Sequence, residues 1–204
     1  MTSNPAISIA ILCGGRSTRF GSECKILHRI SGKFMFQIIH DKFQKYTNDI
    51  FLQLSNEIKE ILDQHITPGE LAKYNTYIDI YENKGPLAGI YSALVNASNP
   101  SIFVVAADLP HTDPAILTEL GKYKQYQLII PKWTRGYYEP LCAVYSQDLL
   151  GIIKAQIELG KLSIHELFEN NAEIRVKYVN IDNLIETGVI SPDCFKNINT
   201  VRDL

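Results

Sequence analysis

Nothing in this sequence provides for a structural metal cluster, a membrane span or a nucleic-acid surface. The four cysteines, at positions 13, 24, 142 and 194, form no C-x-x-C pair and have no histidine at ligand spacing. A structural zinc site is therefore excluded and free thiols in a reducing compartment are expected, with Cys13 and Cys24 bracketing a glycine loop that a redox change could affect. No stretch approaches about eighteen continuous apolar residues, and the opening MTSNPAIS lacks a charged segment followed by an apolar core. An excess of one sign of charge is missing as well. Lys and Arg number 20 and Asp and Glu 22, a net charge of −2, which argues against a polybasic face for nucleic acid or membrane. The expectation is a soluble, cytoplasmic protein with no nucleic-acid or membrane partner. No repeat, low-complexity tract or Pro/Ser-rich linker divides the chain, and 46% hydrophobic residues suffice for one core, so residues 1–204 read as a single domain. The five histidines fall in no Ser/His/Asp arrangement, so no side-chain nucleophile is indicated.

What is present centres on residues 7–25, ISIAILCGGRSTRFGSECK. The run Ile7 to Leu12 is short, has no helical period and stops at Gly14 and Gly15, as a buried parallel strand does. Adjacent glycines let the backbone take positive φ and let another molecule approach it, and successive N–H groups in such a turn form an anion-binding concavity. With Arg16, Arg19 and Lys25 close by, a polyphosphate is the natural guest; the alternative is a plain β-to-α turn with incidental surface charge. Two better-known phosphate loops do not fit. A P-loop has four residues between its glycines and then Lys-Ser/Thr, whereas five separate Gly15 from Gly21 and Ser22-Glu23 follows. A dinucleotide fingerprint needs G-x-G-x-x-G, which Gly14 to Arg19 does not supply.

Short apolar runs at Ile50–Leu54, Thr76–Ile80, Ile102–Ala106, Leu128–Ile130 and Leu141–Tyr145 alternate with periodic stretches at Phe34–Tyr46, Glu57–His65, Leu87–Ala97, Pro114–Tyr123 and Gln147–Leu159. That alternation predicts an α/β fold, a three-layer, doubly wound, mostly parallel sheet with its ligand outside the carboxyl ends of the strands. A Ser31-Gly32 turn is expected before a first helix burying Phe34, Ile38 and Phe43. The run SIFVVAAD is the most apolar and should be central, delivering Asp108 at its end. A lone Asp there calls for a partner, and Mg²⁺ suits it, because that ion takes one or two carboxylates, waters and phosphate oxygens. The other role for Asp108, capping a helix, falls better to Asp113.

The pattern L-x-G-G-x-x-x-R-x-G-x-x-x-K, filled by Leu12, Gly14, Gly15, Arg19, Gly21 and Lys25, resembles the signature loop of the MobA-like nucleotidyltransferases, and within them the molybdenum cofactor guanylyltransferases. KGPLAGIYSAL at 84–94, VVAADLPHTDP at 105–114, EPLCAVYS at 139–146 and NINT at 197–200 follow in the family's order, so the resemblance covers the whole chain. It implies a nucleotide-diphospho-sugar-transferase-like (Rossmann-like) fold and transfer of GMP from GTP to molybdenum-molybdopterin, with Mg²⁺ as cofactor. Carried over residue by residue, it implies nucleotide contacts at Leu12, Cys13, Gly14, Gly15, Lys25, Asp79 and Asp108, and catalytic roles for Arg19, Lys25 and Asp108. It further implies the metal on Asp108 and Asn199 completing the metal or acceptor site. A carboxylate such as Asp79 accepts two N–H bonds from guanine, a pairing adenine cannot offer. Gln53 would either touch the purine or be a solvated strand end. The aromatic loop from Trp133 to Tyr138 would stack on a pterin or serve packing, and residues 160–168 would close over the acceptor's phosphate. Implied partners are GTP, molybdenum-molybdopterin, molybdopterin-handling proteins and apo-molybdoenzymes. Two positions depart from the family pattern: Cys24 stands where Asp is common and Val201 where Pro is usual. A sibling transferase using CTP or a phosphosugar, or a non-catalytic nucleotide-binding partner protein, are the alternatives.

Overall fold

The computed structural model describes residues 7–14, 25–169 and 171–198. In chain order the elements are β1 (Ser8–Leu12), β2 (Arg29–Ile30), β3 (Lys33–Phe34), α1 (Met35–Phe43), β4 (Ile50–Leu54), α2 (Asn56–His65), α3 (Pro68–Leu71), β5 (Asn75–Ile78) and α4 (Gly85–Asn96). They continue with β6 (Ser101–Ala106), α5 (Ala115–Leu120), β7 (Leu128–Lys132), β8 (Cys142–Ser146), α6 (Leu150–Glu158), α7 (Ile164–Glu169), β9 (Val176–Asn180) and α8 (Ile181–Glu186). The large sheet has the order β5-β4-β1-β6-β8-β7-β9, and β6 is its middle strand, as its apolar composition predicts. All strands of that sheet run in one direction except β8, which pairs antiparallel with both β6 and β7.

Alternation along each strand sorts side chains into two cores. Ile9 and Ile11 of β1, Leu52 of β4 and Val105 of β6 pack with α1, α2, α5 and α8, whereas Ala10, Phe51 and Val104 pack with α4, α6 and α7. This is the three-layer arrangement. Ser31 (φ 50°) and Gly32 (φ 84°) form the two-residue turn between β2 and β3, both in the left-handed region that such a hairpin requires. Phe34 and Phe43 are buried as expected, with Met35, Phe36 and Ile39, whereas Ile38 stays half-exposed, its place on the core face being taken by Ile39. Other boundaries differ by one or two residues: β5 begins at Asn75 and ends at Ile78, and β8 begins at Cys142. The Asp113 carboxylate accepts the Ala115 N–H at 2.9 Å and so supports the start of α5. Among the described residues no helix is long and apolar enough to cross a membrane.

Candidate active site

The carboxyl ends of β1, β4, β5 and β6 share one rim, and a cleft of about 820 Å³ opens there. Leu12, Cys13, Gly14, Lys25, Asp79 and Asp108 line it, so six residues singled out from separate stretches of sequence converge on one space. Gly15, Arg19 and Asn199 lie outside the described residues, as do Arg16 and Cys24.

One end of the cleft is built on β4 and β5. The Asp79 N–H donates to the Leu54 carbonyl at 2.8 Å, which holds Asp79 where β5 ends. Its carboxylate accepts from Gln53 Nε2 at 2.9 Å. Burial pushes the Asp79 pKa up from its ordinary value, and the Gln53 hydrogen bond opposes that rise. A methyl group placed on Gly14 would sit 3.9 Å from Asp79 Oδ2, and one on Gly89 would sit 3.8 Å from Asp79 Oδ1 and from the Leu12 side chain. Two glycines and a leucine thus wall a slot at the edge of this carboxylate. Gln53 is 1% exposed, which overturns its reading as a solvated strand end. The Cys13 thiol is buried, and desolvation together with the Asp79 charge raises its pKa, so it remains a neutral thiol.

The other end is built on β6. Asp108 follows this strand, and Lys25 Nζ donates to its Oδ2 at 2.7 Å, the two side chains being 16% and 31% exposed. The segment around Asp108 is held on several sides. The Ala107 N–H donates to the Leu12 carbonyl at 2.9 Å, and the Ile198 N–H donates to the Asp108 carbonyl at 3.0 Å. From α1, Lys42 Nζ donates to the carbonyls of Pro110 and Thr112 at 2.7 and 3.3 Å. Burial lowers the Lys42 pKa, while the Asp113 charge opposes that change. Among the described residues no group of three or more His, Cys, Asp and Glu stands together. One carboxylate facing a cleft nevertheless fits Mg²⁺, which retains water and completes its shell with phosphate oxygens, and it would not satisfy zinc.

Beyond β7 the Trp133–Tyr138 loop is a tight turn closed by Trp133 N–H to Tyr137 O at 2.8 Å. Trp133 Nε1 donates to Glu139 at 2.7 Å, and Lys132 Nζ lies 4.8 and 5.1 Å from the ring centres of Tyr138 and Tyr178. Helix α7 places Phe168 edge-on against Tyr138, with ring centres 5.1 Å apart, and buries Ile164 and Leu167. Ile164, Leu167 and Phe168 therefore face the core, while His165 and Glu166 of the same helix are exposed. Sequence reasoning missed Asn96 and Lys42, because an Asn in the last turn of a helix and a Lys on an amphipathic helix carry no signal of their own.

A mostly parallel sheet with a nucleotide-sized cleft across its carboxyl rim, lined by Gly14 after the first strand on one side and a strand-end carboxylate on the other, defines a nucleotidyltransferase of the nucleotide-diphospho-sugar-transferase fold. Residues 9–174 match the family described as MobA-like NTP transferase domain, and the chain belongs to that family. A molybdenum cofactor guanylyltransferase of Desulfosudis oleivorans is 28% identical over 98% of this chain and 93% of its own length. A probable molybdenum cofactor guanylyltransferase of Thermococcus sibiricus is 32% identical over 82% of this chain and 83% of its own. The crystal structure of molybdopterin-guanine dinucleotide biosynthesis protein A from Archaeoglobus fulgidus superposes with a TM-score of 0.77 at 26% identity, covering 97% of this chain and 94% of that one.

Proposed function

We propose that this protein transfers GMP from GTP to molybdenum-molybdopterin, forming the guanine dinucleotide cofactor and pyrophosphate. The observation that carries this reading is the placement of Asp79 and of the Lys25–Asp108 pair at two ends of one cleft. Asp79 takes the base. Its two oxygens form an acceptor–acceptor edge, and among the nucleotide bases only guanine offers adjacent donors, N1–H and the 2-amino group, to meet it. A base without them leaves a half-buried carboxylate unpaired, which is costly. Gly14 and Gly89, having no side chains, leave the space beside this carboxylate open to a flat ring. The backbone after β1 and the Lys25 ammonium hold the phosphates, with Arg19 beside them, and Asp108 holds Mg²⁺.

Bound magnesium would neutralise charge on the phosphates and on the departing pyrophosphate. The chain's residues do the rest by placement. An oxygen of the acceptor's terminal phosphate attacks the α-phosphorus of GTP, the bond from that phosphorus to the β-bridging oxygen breaks, and pyrophosphate leaves. The nucleophile is already an anion, so no general base is required. Lys25, which donates to Asp108 in the structure, would turn to the charge that develops on the phosphate oxygens if Asp108 held the metal. Lys42 and the Ile198 N–H keep the Asp108 loop in position.

The test is incubation with Mg²⁺, molybdenum-molybdopterin and each of the four nucleoside triphosphates, with mass analysis of the pterin and assay of pyrophosphate. A GMP adduct formed with GTP is the expected result. A product formed only with CTP would overturn the donor, and GTP binding without pyrophosphate release would make the protein a nucleotide-binding partner.

A further inference from the structure

A chain of side-chain amides runs behind the base end of the cleft. Gln53 lies on the face of β4 that meets α4, its amide is buried, and a buried amide has to be satisfied at both ends. Its Nε2 donates to Asp79 Oδ1 at 2.9 Å, and its Oε1 accepts from Asn96 Nδ2, on the last residue of α4, at 3.2 Å. The carboxylate fixes the orientation, because an ionised carboxylate only accepts: turned over, Gln53 would set its carbonyl oxygen against it. The Asn96 amide, which can present either end, then meets the Gln53 oxygen with its NH₂. The amide is therefore fixed as a donor toward the cleft, and its two ends are engaged before any ligand arrives.

The consequence falls on Asp79. Its backbone is held by Leu54, but rotation of the carboxyl group about its last bond is soft and has a broad minimum. The Gln53 donor removes that freedom by anchoring Oδ1, with Oδ2 lying beside Gly14 and Oδ1 beside Gly89. We infer that Gln53 and Asn96 are positioning residues that fix the plane of the Asp79 carboxylate, and that they determine discrimination for the guanine 2-amino group through that carboxylate. This rests on the proposed role of Asp79 in reading guanine. A group that only filled space would affect every purine nucleotide alike. A group that sets a carboxylate plane acts on the two-point contact, and so on the difference between guanine and hypoxanthine, which lacks the 2-amino donor.

The experiment is calorimetric titration of GTP, ITP and ATP, each with Mg²⁺, into the wild-type chain, Gln53→Met, Asn96→Ala and the double variant. Methionine keeps the length and bulk of glutamine and removes its donor. The GTP-over-ITP preference is expected to fall about ten-fold in Gln53→Met, through weaker GTP binding with ITP little changed. Asn96→Ala should shift the ratio the same way by about two- to three-fold, and the double variant should match Gln53→Met, because Asn96 acts through Gln53. Equal loss for GTP and ITP, or additive losses in the double variant, would overturn the inference. If Gln53→Met does not fold, an unchanged ratio in the half-exposed Asn96→Ala overturns it alone. A wild-type chain that does not prefer GTP to ITP and ATP would refute the role of Asp79 itself, whereas a preference that survives Gln53→Met refutes only the amide chain.

Discussion

Lys25→Met should make the ligand-free protein bind a divalent cation more tightly, although lysine is a residue expected to assist the reaction. The Lys25 ammonium donates to Asp108 Oδ2 at 2.7 Å, an oxygen that the proposed metal ion would need. A cation arriving alone must displace it. The side chains are 16% and 31% exposed, so the contact lies between a surface ion pair, worth about 0–1 kcal/mol, and a buried charge-assisted bond, worth about 1.5–3 kcal/mol. We take about 1–2 kcal/mol, which corresponds to roughly 5- to 30-fold in the dissociation constant for the metal alone. A nucleotide bound to its metal brings phosphates that receive the displaced ammonium, so for Mg·GTP the sign reverses and the variant should bind about ten-fold more weakly. Manganese is a convenient probe, because the resonance of its free aquo ion reports unbound metal directly in a titration without nucleotide. If Lys25→Met binds Mn²⁺ no more tightly than the parent chain, the ion pair does not mask the metal position and the reasoning fails.

Three further perturbations follow from the same site. Asp108→Asn should cut pyrophosphate release by at least about 100-fold and abolish the metal dependence of GTP binding, while lowering the melting temperature only by about 2–8 °C for the lost ion pair. Survival of Mg²⁺-dependent turnover in that variant would place the metal elsewhere. Asp79 has a pKa raised by burial. With Asp79 in its proposed role GTP would bind the ionised form, so affinity should be lost as pH falls through the raised value, at a higher pH than an ordinary carboxylate would show. Because the folded-state pKa exceeds the unfolded one, Asp79 also reduces folding stability as pH rises through that interval. Asp79→Asn should therefore melt higher near pH 7 while binding GTP at least about ten-fold more weakly, a trade of stability against function that thermal melts and calorimetry would check. Gly85 opens α4 at φ +71°, beside the cleft. Gly85→Ala should cost about 1–2 kcal/mol and Gly85→Asn less, since Asn tolerates the left-handed region, as chemical denaturation of the two variants would reveal.

The local patterns of the chain determined the strand-and-helix alternation, because each buried parallel strand is a short apolar run that ends at a glycine, an amide or a carboxylate. Ile50–Leu54 matches β4 residue for residue, and the run ending at Ala106 occupies the middle of the sheet. The same patterns located Gly14 and Asp108 as strand-exit residues, since in an open α/β sheet the exits share one rim, whereas Lys25 and Asp79 follow from the loop signature and the family resemblance. Strand β9 escaped notice because it is an edge strand of mixed composition, VKYVN, whose pairing with β7 is the main reason it is extended. The reversed direction of β8 was equally invisible, because hydrophobic alternation reads the same in both directions.

What only the tertiary structure decided is which of those exit residues touch. Lys25 and Asp108 are 83 positions apart, and Gln53 lies 26 from Asp79 and 43 from Asn96. Hydrogen bonds and ion pairs act over about 3 Å, a range that the order of residues along a chain does not encode. The sequence by itself placed the charges on the rim. The folded sheet brought lysine to carboxylate at one end of the cleft and amide to carboxylate at the other, because strand order, set by long-range packing of both faces, decides which strand ends become neighbours.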